Sequence, residues 1–186
     1  DKIIKTSNIS KKNIDLKRNH LKKFIESGFP NRKQEDWKFL DISQIIKKNI
    51  KNLSFFNDYS LPNKIDSSIF VDGLEHNKII FINGRIEKID FSYEEKNNIE
   101  INDQTNIDLT FENKNSLIDL NNAFTNKVFK IIVKKNYSLK KPLIIYHTTN
   151  EKIKSKNINL RLDFELEQNS SLRLIDFFTD SADKNF

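Results

Sequence analysis

The sequence predicts a mainly β protein with an α-helical N-terminal part. Between Lys11 and Ile50 apolar residues fall at helical spacing among lysines. From Lys78 onward they come instead in short extended runs. The clearest run is Asn159 to Phe178, where Leu160, Leu162, Phe164 and Leu166 alternate with Arg161, Asp163, Glu165 and Glu167. A period of two places the apolar set on one face of a strand and the charges on the other. Gln168-Asn169-Ser170-Ser171 reads as a turn, because short polar side chains hydrogen-bond the local backbone. Leu172 restarts an apolar strand that runs to Phe178. The expected result is a strand–turn–strand layer with one buried and one wet face.

Three regions follow: a helical region over 1–52, a mixed region over 53–106 with a hairpin at 79–91, and a sheet region over 107–186. A chain of 186 residues can bury roughly 70% of its unfolded surface. It needs no staples, and it has no cysteine to supply them. It also has no methionine, so residue 1 is expected to be a processed or internal start. No apolar run approaches the roughly 20 residues of a membrane span, which predicts no membrane association. The net charge is +6, from lysines interleaved with Asn and acids along the whole length. Without a concentrated basic helix or a zinc spacing, that charge does not predict nucleic-acid binding.

In chain order, residues 1–9 are polar and expected to fray. Ser10 reads as an N-cap for a helix over Lys11–Ser27, with Ile14, Leu21, Phe24 and Ile25 inward and the lysine-rich face solvated. Gly28 supplies a C′ residue and Pro30 blocks continuation. Next comes Pro30-Asn31-Arg32-Lys33-Gln34-Glu35-Asp36-Trp37-Lys38-Phe39. Trp37, the single tryptophan, is expected to anchor an elbow between two helices, its ring mostly buried. Arg32 is expected to pair with Glu35 or Asp36, and Lys38 to cover the ring with its stem. Ile42, Ile45, Ile46 and Ile50 give a second helix capped by Asp41.

Residues 52–77 read as irregular, with Ile69-Phe70-Val71 as a short strand. Asn83-Gly84, between the runs Lys78–Ile82 and Arg85–Phe91, is a type I′ hairpin turn. The segment 94–106 is polar. Strands are expected at 107–111, 128–133 and 142–147, and a helix at 116–124 with Leu117, Leu120 and Phe124 inward.

These pieces resemble a known family. Pro30, Arg32, Glu35, Trp37, Lys38 and Phe39 are similar to the N-terminal signature of SufD-type subunits (the SufB/SufD family) of the SUF iron–sulfur cluster assembly machine. Phe39-Leu40 stands where the family usually has Tyr-Thr. Asn83, Gly84 and Arg85 resemble a family Phe-x-Asn-Gly-Arg element. Leu120, Asn121, Ala123 and Phe124 resemble its Leu-Asn-x-Ala-Phe segment, although Asn126-Lys127 replaces the family's Asp-Gly. The resemblance covers about Phe24 to Phe178, in the family's order. It implies that 107–186 forms the first coils of a right-handed parallel β-helix, and that the chain is the front part of a longer scaffold protein. It also implies a cytoplasmic or plastid location, a SufB-like partner and a SufC-like ATPase.

The residues predict no catalytic, cofactor-binding or metal-binding site. His20, His76 and His147 lie far apart, and none has a neighbour at metal-ligand spacing. His147 reads as a satisfied strand histidine. Three glycines leave no room for a phosphate loop. The expected function is a non-catalytic scaffold, with the iron–sulfur cluster handled by the full complex. The alternative is a carbohydrate-active or carbohydrate-binding β-helix protein, which needs clustered carboxylates or cations on one stacked face. The C-terminal strands are expected to present an open edge and to self-associate through it.

Overall fold

The computed structural model describes residues 10–49, 54–55, 65–104, 115–125, 127–149 and 156–180. The expected frayed start and the strand at 107–111 lie outside them. The elements are α1 (Lys11–Ser27), α2 (Ile42–Asn49), β1 (Ser54–Phe55), β2 (Asn77–Ile82), β3 (Arg85–Asp90), β4 (Ile99–Gln104), α3 (Ser116–Phe124), β5 (Val128–Val133), β6 (Leu143–Thr149), β7 (Lys156–Asn157), β8 (Arg161–Leu166) and β9 (Leu174–Asp180). The protein is thus mixed α and β. It divides into two compact units, one from Asp1–Phe55, Asp103–Phe129 and Asn159–Leu162, the other from Phe56–Asn102, Lys130–Ile158 and Asp163–Phe186. Residues 107–186, expected as one region, contribute to both.

In the first unit α1 packs against α3. Its ends are those the sequence predicts. The Ser10 hydroxyl accepts from the Asn13 N–H at 3.3 Å, and Gly28, at φ 67°, donates its N–H to the Phe24 carbonyl. The inward face differs from expectation. Asn13, Lys17 and His20 are buried and Leu16 packs on Val128, whereas Ile25 is 70% exposed. Positions 13, 17 and 20 share a face at helical spacing, and that face meets the polar flank of α3, where Asp119 and Asn122 are also buried. In α3, Leu120 and Ala123 are buried while Leu117 and Phe124 are half-buried. The Asp41 carboxylate caps α2 by accepting the Gln44 N–H at 3.0 Å, as expected.

The second unit holds a sheet of order β3-β2-β6-β9. β2 and β3 form the expected antiparallel hairpin, with Ile82 opposite Arg85 and a register shift after Ile80. Asn83 and Gly84 sit at φ 52° and 79°, the left-handed pair that this turn requires. β6 runs parallel to β2 and β9 runs parallel to β6. Ile80, Ile82, Ile144 and Tyr146 form a core beneath Ile65, Ile69, Phe70, Val71 and Phe177. The expected strand at 69–71 is absent. Ser67–Ile69 is a 3₁₀ turn, capped by the Asp66 carboxylate on the Ser68 N–H.

A second sheet has the order β4-β5-β8. β4 falls in a segment that read only as polar, because the alternation of Ile99 and Ile101 with Glu100 and Asn102 is too short to stand out. The layer expected over 159–178 is corrected. β8 and β9 join different sheets, each beside an earlier strand rather than beside each other. Both leave apolar side chains uncovered, although Phe177 of β9 packs on the core and Leu162 of β8 is half-buried. Phe164, Leu166, Leu174 and Ile175 are exposed, and Phe178 is 71% exposed.

Candidate functional site

Two turns stack in the second unit. Asn136 and Asn169 both adopt the left-handed conformation, at φ 60° and 58°. Their side-chain amides meet at 3.0 Å across 33 residues of sequence. Ser138 and Ser171, separated by the same 33 residues, join hydroxyl to hydroxyl at 2.8 Å and form a parallel bridge. Identical residues thus lie one above the other, the two asparagines in the same left-handed conformation. On the sheet of the same unit Phe81, His147 and Phe178 occupy equivalent positions on β2, β6 and β9. Their rings stack at 5.4 and 4.5 Å, with planes within 12° of parallel. His147 Nε2 also lies 2.7 Å from Asp176 Oδ1, so this histidine is satisfied, as read from the sequence.

A carboxylate holds the loop over 137–141. Glu94 accepts from the Tyr137 hydroxyl at 2.7 Å, the Asn77 amide at 2.6 Å, and the Lys140 and Lys141 N–H groups at 3.1 Å. Burial alone would raise its pKa, but these bonds favour the anion and hold it below the usual carboxylate range. Burial pushes the Tyr137 phenol up.

Across β4, β5 and β8 and the residues that directly follow β5 and β8, the charges alternate. Lys134 Nζ reaches Glu100 at 3.0 Å and Glu167 at 3.4 Å, and Lys130 reaches Glu165 at 2.5 Å. Glu167 also accepts the Lys135 N–H at 2.9 Å, a bond that heads the causes of its lowered pKa.

Two buried polar groups escaped sequence reading. Lys17 is 1% exposed, and its ammonium donates to the Thr125 carbonyl at the C-cap of α3. Burial lowers its pKa to about 8. Nearby, His20 Nδ1 lies 2.6 Å from Asp119 Oδ1. The second is Tyr146, fully buried, whose pKa burial raises. Its oxygen accepts the Val71 N–H at 3.1 Å and lies 2.7 Å from His76 Nε2. His76 Nδ1 faces the Leu74 carbonyl, a pure acceptor, so Nδ1 carries the proton. Nε2 faces the tyrosine hydroxyl. The spacing of residues 13, 17 and 20 was a legible signal for the first group. For the second, 70 residues separate the partners and no local signal exists.

The residues of the family resemblance lie as follows. Pro30 is buried, Arg32, Glu35 and Lys38 are exposed, and Trp37 is half-buried on a 3₁₀ turn, Glu35–Trp37. Trp37 is the one residue from Asn31 to Leu40 that is not exposed. Among the described residues the partner of Glu35 is Lys38, at 2.6 Å, rather than Arg32. Lys38 Nζ lies over the Phe39 ring, 5.2 Å from its centroid, rather than over Trp37. Asn83 is buried at the hairpin turn beside Gly84, and Arg85 pairs with Glu87 at 3.6 Å. Leu120, Asn121, Ala123 and Phe124 share α3, where the Asn121 amide donates to the Leu160 carbonyl at 3.1 Å. The 30–38 and 120–124 groups belong to the first unit and 83–85 to the second. Among the described residues no group of three or more His, Cys, Asp or Glu is placed to hold a metal ion. No helix among them is long and apolar enough to cross a membrane.

No protein-family profile matches the chain, and no curated protein matches it.

Proposed function

We propose that this chain is a SufD-like, non-catalytic scaffold segment of an iron–sulfur cluster assembly complex, and that β5, β6, β8 and β9 belong to successive coils of a parallel β-helix. The observation that carries this reading is the stacking of Asn136 on Asn169 and Ser138 on Ser171 at one constant spacing, with β6 and β9 parallel. A coil that returns after 33 residues places like residues over like. The sequence resemblance at Pro30–Phe39, Asn83–Arg85 and Leu120–Phe124 supplies the family. A scaffold of this kind works in the cytoplasm, or in a plastid. It acts by holding a SufB-like homologue and a SufC-like ATPase in one assembly, so its surfaces matter more than any reacting group. Co-expression with a SufB-like and a SufC-like protein is the test. Co-elution as one complex is the expected result, and separate elution at all salt concentrations would overturn the reading.

A further inference from the structure

The segment 65–74 lies against the sheet of the second unit. Its Ile65, Ile69, Phe70 and Val71 pack on Ile80 and Ile82 of β2 and on Ile144 and Tyr146 of β6. Phe70 meets the Tyr146 ring edge-on at 5.2 Å, and Lys78 Nζ lies 5.1 Å from the Phe70 centroid. A polar tie joins the segment to β6, where the Val71 N–H donates to the Tyr146 oxygen at 3.1 Å. His76, only 4% exposed, completes the tie. Its Nδ1 faces the Leu74 carbonyl, and its Nε2 lies 2.7 Å from the same phenol oxygen. Among the described residues, Val71 and His76 are the two partners of that oxygen.

Counting protons along this chain separates two states. The Leu74 carbonyl only accepts, so Nδ1 holds a proton whether the ring is neutral or charged. In the neutral ring Nε2 is bare. The phenol then donates to Nε2 and still accepts the Val71 N–H, so each group has a partner. In the charged ring Nε2 is a donor as well. Two N–H groups then aim at one phenol oxygen, and the phenol hydrogen has no acceptor in a buried site. Burial pushes the Tyr146 phenol up, so it keeps that hydrogen throughout. The charged groups on neighbouring elements are engaged elsewhere. Glu75 pairs with Lys141, Glu94 accepts from Asn77 and Tyr137, Asp90 accepts the Ser92 N–H and pairs with Lys88, and Asp66 accepts the Ser68 N–H. Asp72 is exposed.

We propose that His76 is a proton-operated catch: charging its ring breaks the tie between Tyr146 and Val71 and loosens segment 65–74 from the sheet. The working range is the one in which imidazoles charge, from about pH 8 down to about pH 5. Loosening bares the apolar side chains of β2 and β6, so the acid form offers a surface that the neutral form hides. This device is independent of the scaffold reading.

Hydrogen exchange followed by NMR on the full chain tests it across that range, with rates corrected for their intrinsic dependence on pH. The Val71 amide should exchange at least about tenfold faster at the acid end, the scale of stranding one buried donor. Its loss of protection should track the charging of the His76 ring, read from the ring carbon and nitrogen shifts in the same samples. His76→Gln removes the titrating group and should abolish the response, whereas His147→Gln should keep it. If His76→Gln does not fold, the joint titration of ring and amide in the unaltered chain decides. Val71 protection that stays level, a ring that charges while Val71 stays protected, or a response that survives His76→Gln would overturn the proposal. So would a response lost in His147→Gln. Equal loss of protection at the β2 and β6 amides would also overturn it, since that is general unfolding.

Discussion

Lys17 shows what a single residue can impose. Its pKa is lowered to about 8 in the folded chain against an ordinary 10.5, because burial penalises the charged form. Between those values the unfolded chain binds the extra proton, so stability should rise with pH across that window. Below about pH 8 both states are protonated and the penalty is constant, on the order of 3 kcal/mol at 1.36 kcal/mol per unit. Denaturant melts from pH 7 to 10.5 should therefore show rising stability, and Lys17→Met should flatten the slope. An unchanged slope in the variant would place the titration elsewhere. At Tyr146, removal of the hydroxyl strands the Val71 N–H and His76 Nε2 in a buried site. Tyr146→Phe should cost about 1–3 kcal/mol by chemical denaturation. A loss near zero would mean that water replaces the phenol. Trp37 is only half-buried, so Trp37→Ala should cost about 1–3 kcal/mol, less than the 3–5 kcal/mol of a fully buried ring. A thermal melt compares the two.

The hairpin and the stacked turns make their case as elements. Gly84 sits at φ 79°, where an added Cβ strains the backbone. Gly84→Val should destabilise the β2–β3 hairpin by about 1–2 kcal/mol, whereas Asn83→Gly keeps the left-handed conformation and loses only the buried Asn83 side chain. Hydrogen exchange of the 78–90 amides reads both, and equal protection in Gly84→Val would refute the turn assignment. β8 and β9 are each terminal in their sheets among the described residues, with Phe164, Leu166, Leu174, Ile175 and Phe178 exposed.

For the whole molecule, the chain alone is expected to assemble no iron–sulfur cluster. Thiolates hold such clusters in nearly all known sites, and the sequence contains no cysteine. Anaerobic reconstitution followed by iron and sulfide analysis should find neither at stoichiometric level. Stoichiometric cluster on the isolated chain would contradict both this expectation and the proposed division of labour.

The sequence by itself determined what depends on near neighbours. The Ser10 cap, the Gly28 stop, the Asn83-Gly84 turn, α2 with its Asp41 cap, α3 and the Gln168–Ser171 turn all rest on contacts within a few residues, so local spacing reveals them. The Trp37 elbow was legible as a place but not in its ion pairs, because exposed side chains choose among several partners. Tertiary structure decided the rest. It turned the polar face of α1 inward, because α3 offered Asp119 and the Thr125 carbonyl to meet His20 and Lys17. It sent β8 and β9 to separate sheets, β9 parallel to β6 and β8 beside β5, instead of next to each other. A spacing of 33 residues recurs in the fold. Asn136 with Asn169 and Ser138 with Ser171 carry it, and only the fold shows which residues to compare. Pairing over such distances is fixed by the closure of the whole chain, and no window of a few residues contains that information.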